Sequence, residues 1–250
     1  MSEPDQIVVS FRGVSKAFGD KVVLKDIDLD VRRGELLVVM GGSGTGKSVL
    51  LKHVSGLLRP DSGGVVVLGW GVSHREEDEL VELRRKVSYI FQQGALFDSL
   101  TVGENVGYPL REHTTHSEAE VRERVASLLE RVGLAGIESL APSELSGGMR
   151  KRVALARGLA LDPEVILYDE PTAGLDPLTG LAITHLIKEI DTTTTATSLV
   201  VTHDLAAAKV LGGRIAFLHE GRFAFMGTID EAARVDGLVG NFVRAGGVHA

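Results

Sequence analysis

Gly41-Gly42-Ser43-Gly44-Thr45-Gly46-Lys47-Ser48 decides the reading of this 250-residue chain. It follows an apolar run at 35–40 and opens a helical pattern over 47–57 that carries Leu50, Leu51 and Val54. A strand, a glycine loop and a helix in that order form a phosphate cradle, because loop N–H groups wrap the phosphates and the helix N-terminus adds partial positive charge. In such a cradle Lys47 neutralises terminal phosphate charge and Ser48 offers its hydroxyl to Mg²⁺. With both flanks in place, G-x-x-x-x-G-K-S implies a site for a nucleoside triphosphate.

Outward from the loop, short β-type runs recur at 7–11, 65–68, 87–91, 165–168, 198–202 and 215–218. Helical patterns lie between most of them, which predicts an α/β fold with a mainly parallel sheet, since parallel neighbours need crossovers. The first seventy residues hold several strand candidates and one helix, so an antiparallel β layer is expected there. From about 100 to 160 the β signal fades and three helical stretches follow. One of them starts at Ser117 with Glu120 as its capping-box partner and aligns Val121, Val125, Leu128, Leu129 and Val132 on one stripe. Another begins after Asp176-Pro177, repeats Ile183, Leu186, Ile187 and Ile190, and is expected to give way to a threonine-rich loop over 191–198. The expected organisation is one domain over 1–250, with a core lobe of about 1–92 and 163–250 and an inserted helical lobe of about 93–162.

Composition narrows the function. With 27 basic and 34 acidic side chains the formal charge is −7, which excludes a nucleic-acid binder that works by bulk charge. No cysteine is present, so thiolate metal sites and thiol nucleophiles are excluded, and a reducing compartment fits. No apolar run approaches the roughly 18 residues of a membrane span. The first six residues carry acids and a proline in place of a basic, then apolar leader, so export is not expected. Glycine is enriched, at 30 residues, and clusters in short loops suited to close backbone approach to a ligand.

Two further runs carry chemistry. Val165-Ile166-Leu167-Tyr168-Asp169-Glu170 is an apolar strand ending in two acids; there Asp169 suits Mg²⁺ on the phosphates and Glu170 suits general-base activation of water. Leu145-Ser146-Gly147-Gly148-Met149 precedes a helix through Val153, Leu155 and Leu159, which makes Ser146, Gly147 and Gly148 either a second anion site or a plain serine cap with a turn.

In this order, these motifs resemble the ATP-binding subunits of ABC transporters, P-loop NTPases with a RecA-like core, an N-terminal antiparallel β layer and an inserted helical lobe. The usual family signature is Leu-Ser-Gly-Gly-Gln, and here Met149 replaces the glutamine. The resemblance implies that Phe18 stacks on adenine, against the alternative that it packs in the core. It implies that Gln92 reaches Mg²⁺ and the attacking water and that His203 contacts the γ-phosphate. Asp176 corresponds to the loop that crosses the dimer interface, a role compatible with capping the following helix. The implied state is a homodimer that closes on ATP, each glycine loop facing the partner's Ser146, Gly147 and Gly148.

Within that superfamily, Met149 and the stretches Phe91-Gln92-Gln93-Gly94-Ala95-Leu96-Phe97 and Tyr108-Pro109-Leu110-Arg111-Glu112-His113-Thr114 resemble the Mla-type ATPases that work with MCE-domain proteins. That likeness implies phospholipid transport with an MlaE-like integral-membrane permease, at the cytoplasmic face of the inner membrane. An importer of polar amino acids is the alternative that shares every nucleotide motif. A DNA-maintenance ATPase would show coiled-coil heptads or a basic face, and neither is present. A regulatory module without turnover would lack an acid like Glu170, and a small-molecule kinase would have no use for the run 145–149.

Overall fold

The computed structural model of the chain describes residues 6–246. The expected single domain over 1–250 runs past these at both ends, and all but the last of the first six residues lie outside them.

The chain opens with a hairpin of β1 (Ile7–Phe18) and β2 (Lys21–Arg32), followed by β3 (Leu36–Met40), α1 (Lys47–Val54), β4 (Ser62–Val67) and β5 (Trp70–Gly71). Next come α2 (Glu77–Lys86), β6 (Val87–Ile90), α3 (Val102–His113), α4 (Glu118–Arg131) and α5 (Gly147–Gly158). The remainder is β7 (Val165–Asp169), α6 (Pro177–Thr193), β8 (Thr197–Thr202), α7 (Leu205–Leu211), β9 (Arg214–His219), β10 (Arg222–Gly227), α8 (Ile229–Arg234) and α9 (Leu238–Arg244).

Two sheets result. One is antiparallel in the order β2-β1-β4-β5, and the other runs β10-β9-β3-β8-β7-β6, parallel except where β10 pairs β9. This is an α/β architecture, with the expected antiparallel layer beside a mainly parallel sheet. Every residue of β3, β7 and β8 is buried, as strands covered on both faces must be. Alternate residues serve two cores. Leu37, Val39, Leu167 and Val201 pack with α1 against the antiparallel sheet, while Val38, Met40, Tyr168 and Val200 pack against the helices from α3 onward. The stripe Val121, Val125, Leu128 and Leu129 of α4 joins the second core, behind a Ser117 cap that accepts from the Glu120 N–H.

Several elements differ from the sequence expectation, β10 among them, which no expected run covers. The strand expected at 7–11 continues to Phe18 through register shifts, with Gly13 at φ +56. Its partner β2 was not anticipated; five of its twelve residues are exposed, so its apolar signal is diluted. The loop expected over 191–198 shrinks to three residues, because α6 runs on through its threonines. Thr192 and Thr193 hydroxyls donate back to the Glu189 carbonyl at 2.9 and 2.8 Å, which lets hydroxyl side chains ride inside a helix. No helix among the described residues is long and apolar enough to cross a membrane.

Candidate functional site

The glycine loop bridges the end of β3 and the start of α1. Two of its glycines are required by contact. A Cβ on Gly41 would lie 2.3 Å from the Leu218 carbonyl oxygen, and Gly46, at φ +105, would drive one to 2.8 Å from a Val23 methyl. The Thr45 hydroxyl donates to the Gly42 carbonyl at 3.0 Å and closes the loop on itself. Lys47 folds back over it: its ammonium, 5% exposed, donates to the Gly41 and Gly42 carbonyls at 2.9 Å each and lies 3.2 Å from Glu170 Oε1.

Parallel pairing of β7 with β6 and β8 delivers the two acids to this loop. Asp169 accepts from the Ser48 hydroxyl at 2.6 Å on one oxygen and from the Tyr89 hydroxyl at 2.8 Å on the other. Burial, together with the neighbouring Asp169 charge, pushes the Tyr89 pKa up, so the phenol stays a proton donor. Glu170 adopts φ +45, a left-handed conformation that costs a residue with a Cβ energy and that recurs at functional sites. Its N–H donates to the Val201 carbonyl at 3.0 Å, which holds the turn and aims the carboxylate between Lys47 and His203. His203 Nδ1 stands 3.0 Å from Glu170 Oε2.

These groups surround one cavity of about 440 Å³, walled by Phe18, Ser43, Gly44, Gly46, Lys47, Ser48, Gln92, Glu170 and His203. Phe18 is 47% exposed at its mouth, which overturns core packing as its alternative. Lys21 and Val23 of β2 also line it and were missed, as was Tyr89 behind it. No motif marks any of the three, because each comes into place through strand pairing.

Four expected site residues lie elsewhere in the single chain. Ser146 caps α5 and accepts from the Met149 N–H at 3.2 Å. Asp176 caps α6 and accepts from the Leu178 and Thr179 N–H groups; hydrogen bonding from the Thr179 side chain, and then from those N–H groups, holds its carboxyl pKa below the ordinary value. Neither they nor Gly147 and Gly148 border the cavity. A Cβ on Gly148 would reach 2.6 Å from a Thr179 methyl, and one on Gly147 would reach 3.3 Å from Leu175. The two helix starts therefore lie side by side, on a face distinct from the chain's own cavity.

Among the described residues no three His, Asp or Glu side chains converge as a metal cage. The Ser48–Asp169 pair does fit Mg²⁺, a hard cation that takes few protein oxygens and completes its shell with phosphate and water.

A second cavity, about 470 Å³, opens between β6 and the helices and includes Tyr89, Phe91, Phe97, Tyr108, Pro109 and Arg157 in its walls. Tyr89 stacks on Phe91 with centroids 4.3 Å apart, so this groove and Asp169 share one side chain. The Phe97 and Tyr108 rings lie 5.0 Å apart. Fully buried Asn105 shapes that wall, donating to the Phe97, Leu100 and Thr101 carbonyls and accepting from the Phe97 N–H at 2.8 Å.

Fold, glycine loop and acid pair together define the class: the chain belongs to the ABC transporter family, whose model matches residues 24–173. It is similar to the probable ribonucleotide transport ATP-binding protein mkl of Mycobacterium leprae (strain TN), 42% identical over 90% of this chain and 65% of that one. The chain thus spans just under two thirds of that relative's length. It is also similar to the intermembrane phospholipid transport system ATP-binding protein MlaF of Escherichia coli (strain K12), 41% identical over 79% of this chain and 74% of MlaF. Among solved structures, the dimeric post-hydrolysis state of the ATP-binding cassette MJ0796 bound to ADP and Pi is 35% identical, with a TM-score of 0.80 over 88% of this chain and 98% of that one.

Proposed function

We propose that this chain is the ATP-binding and ATP-hydrolysing subunit of an ABC transporter that moves phospholipid in an MCE-type system. The observation that carries the activity is the single cavity in which the glycine loop, Lys47, the Ser48–Asp169 pair, Glu170, His203 and Gln92 meet. In this reading Phe18 holds adenine, the loop N–H groups and Lys47 hold the phosphates, and Ser48, Asp169 and Gln92 would hold Mg²⁺. Bound there, Mg²⁺ would neutralise charge on the β- and γ-phosphates. Glu170 accepts the proton of the attacking water, and His203 orients the Glu170 carboxylate from its other side.

Two copies act together. Ser146, Gly147, Gly148 and Asp176 lie outside their own chain's cavity and are adjacent to one another, which supports their use on a partner's nucleotide. ATP closes such a dimer only through its higher affinity for the closed state, and hydrolysis removes that preference. The aromatic groove over 89–109 receives an MlaE-like permease at the cytoplasmic face of the inner membrane, with an MCE-domain protein in the complex. The likeness to MlaF, an intermembrane phospholipid transport protein, supports phospholipid as cargo. The likeness to mkl, a probable ribonucleotide transport protein, favours a second reading, ribonucleotide. Nothing in these relatives favours a polar amino acid.

The test is to extract the tagged chain from its own membranes, measure phosphate release from Mg-ATP, and extract and weigh the bound small molecules. Co-purified permease, MCE protein and phospholipid support the proposal. A nucleotide-binding periplasmic partner supports the second reading, and recovery of the chain from the soluble fraction alone refutes both.

A further inference from the structure

Lys151 lies in the second turn of α5, after the capped start at Ser146. It is 8% exposed, and its ammonium donates to the Gln92 carbonyl. Among the described residues it forms no ion pair with a carboxylate; burial, the largest influence, lowers its pKa, and the Asp169 and Glu170 charges offset part of that. A buried ammonium in this setting demands a purpose beyond solubility.

α5 grips the next residues as well. Arg157 donates to the Gly94 carbonyl at 2.7 Å and to the Ala95 carbonyl at 2.8 Å. Gly94 and Ala95 both take left-handed φ, +78 and +47, and a Cβ on Gly94 would stand 3.3 Å from that of Ala154. Two cations, separated along one helix, thus hold three carbonyls of the segment that begins with Gln92. Gln92 itself borders the nucleotide cavity, while the Gly94–Ala95 turn borders the aromatic groove.

From this geometry we infer that Lys151 is a positioning residue for hydrolysis, fixing the Gln92 backbone to α5 so that the Gln92 side chain is held toward the position of Mg²⁺ and the attacking water. This rests on the role proposed above for Gln92. Lys151 touches no substrate in this account, so its loss acts on turnover and spares binding. Its position also means that a shift of α5 moves Gln92 with it, since the contact is a single charge-assisted bond to main chain.

The experiment uses the full chain with the membrane subunits that co-purify, and reads phosphate release together with the Kd of a fluorescent ATP analogue. Lys151→Met is expected to lower kcat about tenfold and to leave Kd within about twofold, because the lost interaction matters only in the reacting state. Lys151→Arg, which keeps a buried donor charge, is expected to recover most of the loss. In a Gln92→Ala background, Lys151→Met is expected to cost less than about twofold more, as two residues acting through one group are not additive. Multiplicative losses, or a Kd that rises as far as kcat falls, overturn the inference. If Lys151→Met melts below the assay temperature, Lys151→Gln carries the same comparison. Wild-type hydrolysis by Gln92→Ala would overturn the Gln92 role and the tether together, whereas an impaired Gln92→Ala with multiplicative losses removes the tether alone.

Discussion

Lys47 and Glu170 form an ion pair of 3.2 Å inside the nucleotide cavity, with both side chains almost wholly buried. The cation that would hold the terminal phosphate and the carboxylate that would activate water are therefore neighbours before any substrate enters. Lys47 is restrained by two loop carbonyls, so its ammonium is aimed in advance. Glu170 is restrained by His203 on its other oxygen.

From that pairing, Lys47→Ala is expected to weaken ATP binding by about 3 kcal/mol, over a hundredfold, since it leaves phosphate and Glu170 without their buried cation. Glu170→Gln is expected to keep ATP binding, lower turnover at least about a hundredfold, and trap a dimer on a sizing column in ATP. Wild-type phosphate release by Glu170→Gln would remove that residue from the mechanism.

Phe18→Ala is expected to raise the Kd for ATP about tenfold, within the roughly 1–3 kcal/mol of a base stacked on an aromatic ring, and to leave saturated turnover unchanged. Equal Kd values for the variant and the parent would show that the exposed ring does not meet the base.

Tyr89→Phe removes one of the two donors that orient Asp169. A hydrogen bond to a charged group contributes about 1.5 kcal/mol or more, so the Mg²⁺ concentration for half-maximal hydrolysis is expected to rise about tenfold. The same titration on Phe91→Leu, which lies on the groove side of the stack, should show little change.

Met149 is half-buried against the helical core, and only its N–H meets the Ser146 cap. Met149→Gln is expected to hold ATPase activity within about tenfold, under roughly 1.4 kcal/mol of barrier. A larger collapse, measured by phosphate release at saturating ATP, would make the methionine specific.

His53 is fully buried on α1; its Nδ1 lies 2.7 Å from the Val49 carbonyl, and its Nε2 has no partner. Burial, the largest influence, lowers its pKa below 6.5. Below pH 6.5 the unfolded chain takes up a proton that the fold excludes, so stability is full above that value and falls as pH drops. The slope contributed reaches at most about 1.4 kcal/mol per pH unit. Urea midpoints at pH 5 and pH 7.5 should converge in His53→Gln relative to the parent; an unchanged gap would exclude His53 as its source.

What could be read from the chain was local. The glycine loop, its strand and its helix occupy consecutive residues, and their chemistry depends on spacing that a sequence displays. The capping pairs Ser117–Glu120 and Asp176-Pro177 were equally legible, for the same reason. β2 and β10 were not: they are partly exposed, so alternation of solvent and core weakens their apolar signal. The tail of α6 was misread because threonine statistics favour loops, and back-bonding to the Glu189 carbonyl reverses that preference.

Tertiary structure alone decided which side chains share the cavity. Tyr89 meets Asp169, eighty residues later, because β6 pairs β7 in register; Lys21 and Val23 meet the loop because β2 passes against Gly46. The left-handed turn at Glu170, and the Lys151 bond to Gln92, likewise arise from packing between distant segments. Sequence spacing specifies neighbours along a strand or helix, whereas contacts across the fold depend on register and crossover, which no short motif encodes.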